Sequence, residues 1–272
     1  MEKKFEKSTF NKRLKSMLSV DARRTFTSPF FYIMVGIAFV VPILILVMST
    51  MMDGSVSTNP QTGEQTIMHG FDFVWQILGA VSNTSSENAG AGMSMDLVSM
   101  CNINMMFFAI AVLVCTFVSD DFRSGYAKNL FTVRPIKTDY VISKTVLGFV
   151  GSAVMLIAFF LGAIIGGGVA GLPFTMDGFT AGNILFCMLS KIFLSLIFVS
   201  IYVLASVIAK QKLWLSILLS LGIGMLFFTM VPMITPLDAG IINVILTLVG
   251  GCLFAVGLGA VSNTVLKKTA LV

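Results

Sequence analysis

Charged side chains fall in short clusters along this chain, and long apolar runs separate the clusters. Between Arg24 and Asp53 lie 28 consecutive uncharged positions, between Asp96 and Asp120 there are 23, and between Lys144 and Asp177 there are 32. Further on, 25 separate Lys212 from Asp238 and 28 separate Asp238 from Lys267, while the stretch from Asp177 to Lys210 is broken only by Lys191. A helix rising ~1.5 Å per residue needs ~20 mostly apolar residues to cross ~30 Å of hydrocarbon, so each run holds one span and not two. The runs lack the alternation of a membrane barrel, and lipid offers backbone groups no hydrogen-bond partner, so the spans are helices. The pattern predicts an all-α polytopic membrane protein with six transmembrane helices, near 30–52, 97–119, 144–168, 183–209, 213–231 and 241–265. Residues 1–29 form a basic segment ahead of this six-helix domain (30–272). The longest connections are an outer loop, 53–96, and a loop between spans two and three, 119–143.

Composition agrees. Of 272 residues, 56% are hydrophobic and 11% charged, with a mean hydropathy of +0.94. Soluble domains carry roughly 25% charged residues, so a water-soluble globule, a disordered chain and a conventional nucleic-acid-binding domain are excluded despite a pI of about 9.1. The net charge of +5 resolves into two populations. Lys3, Lys4, Lys7, Lys12, Arg13, Lys15, Arg23 and Arg24 precede span one; Arg123, Lys128, Arg134, Lys137 and Lys144 lie between spans two and three; Lys210 and Lys212 join spans four and five; Lys267 and Lys268 follow span six. The other three connections carry acids such as Asp53, Glu64, Glu87, Asp177 and Asp238 and no Lys or Arg. By the positive-inside rule both termini are expected in the cytoplasm of a bacterial cell, with the chain in its plasma membrane. Span one is too long, and too far from the N-terminus, for a cleaved signal peptide.

Ahead of span one, residues 5–24 place Phe10, Leu14, Met17, Leu18 and Asp21 at helical spacing with basic residues on the other face, as an interfacial helix on anionic lipid would. Pro29 suits the first turn of span one, and Pro42 is expected to kink it. In the outer loop, Phe71, Phe73, Val74, Trp75, Ile77 and Leu78 are apolar enough to lie on the outer leaflet, between Gly-, Ser- and Asn-rich turns. His69, without a nearby cluster, reads as a surface residue rather than a ligand or base. Cys101, Cys115, Cys187 and Cys252 all fall in predicted spans and read as small core residues rather than disulfide or metal partners.

No phosphate loop, zinc-protease motif, paired CxxC or GxSxG elbow occurs, so the chain is expected to be no enzyme and to bind no cofactor itself. Gly162 with Gly166, and Gly251 with Ala255 and Gly259, put small residues on one helical face, for tight packing within the chain or at a subunit interface. Gly222, Gly224, Pro232 and Pro236 predict irregular backbone near 225–240, a candidate outer gate. Lys191 is the basic residue within a span, ~12 Å below the start of span four. It is either a transport or gating residue or a snorkelled or paired lysine; Asn102 and Asn104 are its candidate partners or pore-lining groups.

The 118–149 segment, VSDDFRSGYAKNLFTVRPIKTDYVISKTVLGF, predicts a short amphipathic helix. Asp120 and Asp121 are expected at its start, facing the positive end of its dipole; Leu130, Phe131 and Val133 give it an apolar surface, and Pro135 ends it. Thr138 is expected to cap the next helix, which rises through Tyr140 and Lys144. An acid at Asp121, Gly125 four residues on, Pro135 with Lys137, then Lys144 entering span three resembles the coupling-helix pattern in permease subunits of type-2 ABC exporters, the ABC-2 superfamily. The topology is similar over the whole chain. Two departures from the family pattern keep the charge: Asp121 stands where Glu is commoner, and Lys137 where Arg is frequent.

The resemblance implies a transmembrane subunit paired with a second copy or a sister permease and driven by separate ABC ATPase subunits that carry ATP and Mg. Asp120, Asp121, Arg123, Gly125, Tyr126, Leu130, Pro135, Lys137 and Lys144 would couple to the ATPase. Lys191, Asn102, Asn104, Pro232 and Pro236 would line a path or gate. The small size is similar to permeases that export bacteriocins or confer immunity to them, which implies a hydrophobic or amphipathic peptide as substrate. Drugs or lipids as cargo, and a non-transporting membrane sensor or scaffold, are the alternatives.

Overall fold

The computed structural model describes residues 10–54, 56–58, 65–67, 70–81, 101–133, 137–176 and 178–268. Nine helices run in chain order through these residues: α1 (Phe10–Thr27), α2 (Pro29–Met52), α3 (Met106–Arg123), α4 (Tyr126–Val133), α5 (Thr138–Ala170), α6 (Ala181–Ala209), α7 (Leu213–Phe228), α8 (Val231–Ile234) and α9 (Ile241–Lys268). A short antiparallel hairpin pairs β1 (Val56–Thr58) with β2 (Gln65–Ile67), Val56 opposite Ile67, and a 3-10 helix follows at Val74–Leu78.

Among the described residues, five helices are long and apolar enough to cross a membrane: α2, α3 with the 3-10 turn Ile103–Met105 before it, α5, α6 and α9. The fifth predicted span is shorter than expected. α7 has 16 residues, ~24 Å of helix, and ends before the predicted boundary at 231. Thr229 and Met230 then lead into α8, whose second residue is Pro232, so the irregularity expected near 225–240 is present. Span three is longer than expected, because α5 begins at Thr138 and runs 33 residues without a break.

α6 stands at the centre and packs against α3, α5, α7 and α9, while α2 lies along α5. Glycines set the α2–α5 approach. A Cβ on Gly166 would stand 2.8 Å from the Ile43 Cα, and one on Gly162 would collide with the Phe39 carbonyl. Gly251 fits about as tightly against the Phe193 carbonyl of α6, so Gly162, Gly166 and Gly251 serve packing within the chain. Polar pairs join the helices at intervals: Tyr202 donates to the Phe107 carbonyl at 3.0 Å, and the Ser206 and Ser216 hydroxyls meet at 2.6 Å. The outward faces of α2 and α9 present Ile37, Leu44, Met48, Ile242, Leu253 and Val256, as a lipid-bathed helix does.

The bundle has two unlike ends. α1, α4, the start of α5 and the end of α9 form a basic end; the hairpin, the 3-10 helix and α8 form the other. At that other end the apolar part of the loop is not spread on a leaflet. Val74, Trp75, Ile77 and Leu78 are buried in the bundle, Trp75 stacks on Phe160, and Val74 sits against Gly167, where a Cβ would displace it. Burial against the chain's own helices removes the same apolar surface from water that the leaflet would have. His69 lies outside the described residues.

At the basic end, α1 begins at Phe10 and continues to Thr27, and Ser28 separates it from Pro29 in the first turn of α2. α2 continues past Pro42 as one helix. The basic residues of α1 do not all lie on a lipid-side face: Arg13 and Arg24 reach carboxylates of the bundle.

Candidate functional site

Three helices meet at the basic end around charges that none of them could bury alone. Asp121 comes from the last turn of α3, Asp21 and Arg24 from α1, and Tyr140, Ser143 and Lys144 from the first turns of α5. Spacings of three and four on α5 put Tyr140, Ser143 and Lys144 on one face, and the i, i+3 pair Asp21 and Arg24 shares a face of α1.

Lys144 is fully buried, with Nζ 2.7 Å from Asp121 Oδ2 and 3.1 Å from Asp21 Oδ1. Arg24 Nη1 donates to Asp121 Oδ1 at 2.7 Å, the Tyr140 hydroxyl donates to Asp121 Oδ2 at 3.1 Å, and the Ser143 hydroxyl donates to Asp21 Oδ2 at 2.7 Å. Two carboxylates face two cations, so the cluster is neutral. The Lys144 ammonium also stands 3.8 Å from the centre of the Phe117 ring, and the Arg24 guanidinium 4.1 Å from that of Tyr126. Burial pushes the Tyr126 phenol pKa up, with Asp21 and Asp121 adding to it, so this ring stays neutral beneath the guanidinium. Burial, the largest single influence, lowers the Arg24 pKa, but Asp121, Tyr126 and Asp21 together outweigh it and the net direction is up. A buried cluster of this kind is a geometric lock more than a source of stability: removing one partner strands the others.

The cluster holds the root of α4. α3 ends at Arg123, and Gly125, at φ +72°, turns the chain into α4. A Cβ there would meet nothing within 4 Å, so glycine is required by the left-handed backbone and not by crowding. Tyr126 opens α4 beside Arg24, Leu130 is half-buried, Phe131 packs edge-on to Tyr140, and Lys128, Asn129 and Thr132 are exposed. Lys137 Nζ donates to the Leu266 carbonyl at 2.6 Å, tying the far side of this loop to α9, and Arg13 meets Asp139 at 3.1 Å.

Two expectations are corrected here. Asp120 and Asp121 do not open the short helix; they lie in the last turn of α3, because nothing interrupts that helix before Gly125. Asp120 is exposed and pairs loosely with Arg123, at 3.7 Å. Thr138 does not cap α5: it is that helix's first residue, and Lys137 precedes it without a capping side-chain bond. Pro135 lies outside the described residues, and α4 ends at Val133.

The opposite end holds a second buried lysine. Lys191 is fully enclosed and does not snorkel. Its Nζ donates to Asn104 Oδ1 at 2.8 Å, to Thr235 Oγ1 at 2.9 Å and to the Thr235 carbonyl at 3.3 Å. All three acceptors are neutral. The Asn102 side chain accepts from the Asn104 backbone N–H at 3.0 Å and so caps the short 3-10 turn that carries Asn104. Pro232 and Pro236 flank the Thr235 segment without touching the ammonium: Pro232 is exposed on α8 and Pro236 is half-buried. Asn183, at the start of α6, donates to the Asp238 and Ala239 carbonyls, and Asn243 donates to that of Ile234. Segment 231–240 is thereby held down by side chains from α6 and α9 and by Lys191.

Of the residues singled out for coupling, the structure gathers Asp121, Tyr126 and Lys144 in one cluster, with Gly125 as the adjoining turn; Asp120, Arg123, Leu130 and Lys137 lie around it. Asp21, counted only as part of the apolar face of α1, proves central. Its signal was visible, because a carboxylate four residues beyond Met17 on an apolar stripe needs a buried cation. Arg24, Tyr140 and Ser143 carried the helical spacing of partners, and Thr235 carried no signal at all.

Comparison with known proteins agrees with this architecture. A family model described as ABC-2 family transporter protein matches residues 27–227. The match contains Asp121, Gly125, Lys144, Asn104 and Lys191, and ends short of Thr235; Asp21 and Arg24 precede it. No curated protein and no solved structure matches the chain. The match spans most of the chain, and with the membrane-spanning bundle described above it places the protein in the ABC-2 family of membrane transporters.

Proposed function

We propose that this chain is the permease of an ATP-driven exporter in a bacterial plasma membrane, with its basic end and both termini in the cytoplasm. It works as a dimer, with a second copy or a sister permease. Two ABC ATPase subunits, which bind the ATP and Mg, dock against the exposed face of α4 at Lys128, Asn129 and Thr132. Movement of α4 reaches the spans through the cluster at its root. The single observation that carries this reading is Asp121, held by residues of both α1 and α5 at the point where α3 gives way to α4.

The cargo is a hydrophobic or amphipathic peptide. The 24 Phe and 18 Met of the chain supply adaptable, weakly selective apolar contacts. Segment 231–240, latched by Lys191, forms the outer gate. To test this reading, the tagged chain is purified from its native membrane. An ATP-hydrolysing subunit is expected to co-purify in one-to-one ratio, and Lys128→Glu is expected to weaken that association. Isolation of the chain without an ATPase would favour a sensor or scaffold instead.

A further inference from the structure

A groove of about 530 Å³ runs between α5 and α9 at the basic end. Val141 and Thr145 of α5, Leu196 of α6, and Ala255 and Gly259 of α9 form its walls, and Asn263 stands at its mouth. Along α9 it extends from Cys252 to Asn263. At ~1.5 Å per residue that is ~16 Å, about half of a ~30 Å hydrocarbon core. The groove therefore spans one leaflet, the one at the basic end. It opens sideways past exposed Val256 and Ala260, on a helix long and apolar enough to cross a membrane.

Two polar features mark its mouth. Asn263 Oδ1 is buried and meets no hydrogen-bond donor among the described residues. Lys267, four residues on and exposed, continues the same helical row at the level of the headgroups. An apolar slot one leaflet deep, with a cation and an orphan acceptor at its polar end, fits a single class of ligand.

We propose that this groove binds one anionic phospholipid, its acyl chain between α5 and α9, its phosphate at Lys267 and a headgroup hydroxyl donating to Asn263. The headgroup lies beside Thr138 and the Lys137–Leu266 contact, so the lipid occupies the joint between the coupling loop and the last span. The site depends on the membrane and on the fold; it does not depend on which cargo is exported.

The full-length chain, purified in detergent, is titrated with phosphatidylglycerol and with phosphatidylcholine of the same acyl chains and followed by native mass spectrometry. One phosphatidylglycerol per chain is expected, about fivefold tighter than phosphatidylcholine, and Lys267→Ala is expected to erase that preference. Gly259→Leu fills the groove; a Cβ there meets only Val141 Cγ1, at 3.8 Å, so the fold should tolerate it. It is expected to weaken both lipids on the order of tenfold, and Ala260→Leu, at an exposed position, serves as a second blocking variant. Equal binding of the two lipids, or undiminished binding in both blocking variants, would overturn the proposal. So would an Ala260→Cys variant that cross-links to a second copy in membranes, which would make this face a permease–permease interface.

Discussion

Lys144 and Lys191 are both fully buried, yet they sit in opposite electrostatic settings. Lys144 lies between two carboxylates, with Arg24 beyond them, so its charge is cancelled within 3.1 Å. Lys191 is held by an amide oxygen, a hydroxyl and a carbonyl, so it is satisfied as a hydrogen-bond donor and uncancelled as a charge. The first arrangement resists movement, because separating any pair exposes a charge to an apolar interior. The second lets go more readily, because water can replace neutral acceptors at modest cost once a gap opens. On the proposed reading, a rigid joint at the basic end and a releasable latch at the opposite end suit a machine whose force enters at one end and whose cargo leaves at the other.

This contrast can be broken experimentally. The largest effect is expected from Lys144→Met, which strands Asp21 and Asp121 and should destabilise the purified protein by about 3–5 kcal/mol in thermal or denaturant unfolding. Gly125→Val forces a branched side chain into a left-handed conformation and should lose about 1–2 kcal/mol in the same assay. Lys191→Met should lose about 1 kcal/mol or less, because a donor is removed from neutral acceptors while an uncancelled buried charge is also relieved; transport should change while assembly does not. A Lys191→Met loss as large as that of Lys144→Met would dissolve the distinction between the two lysines. The smallest effect belongs to Arg123→Ala: its pairing with Asp120 is exposed on both sides, and the change should stay within about 0.5 kcal/mol.

Five membrane-spanning helices and the shorter apolar α7 were legible because lipid excludes charge, and exclusion leaves a gap that needs no knowledge of packing. Helix ends were less so. Asp120 and Asp121 read as helix openers because acids favour that position, but Gly125 was the true punctuation, and a helix runs on through polar residues when the bundle supplies partners. Composition also could not say which apolar surface would cover Trp75 and Ile77, since a leaflet and the chain's own helices present the same chemistry. Asn104 was named as a partner for Lys191 and is one. Thr235 was not, because a threonine between two prolines looks the same whether its oxygens face water or an ammonium.

The coupling role of the cluster is tested most directly by the ratio of transport to ATP hydrolysis in vesicles containing the assembled complex, comparing wild type with Gly125→Val. The variant distorts the turn between Asp121 and α4 without touching a charge. The account predicts that the complex still assembles and hydrolyses ATP while transport per ATP falls at least tenfold, about 1.4 kcal/mol of lost coupling. An unchanged ratio in an assembled, active complex would contradict it.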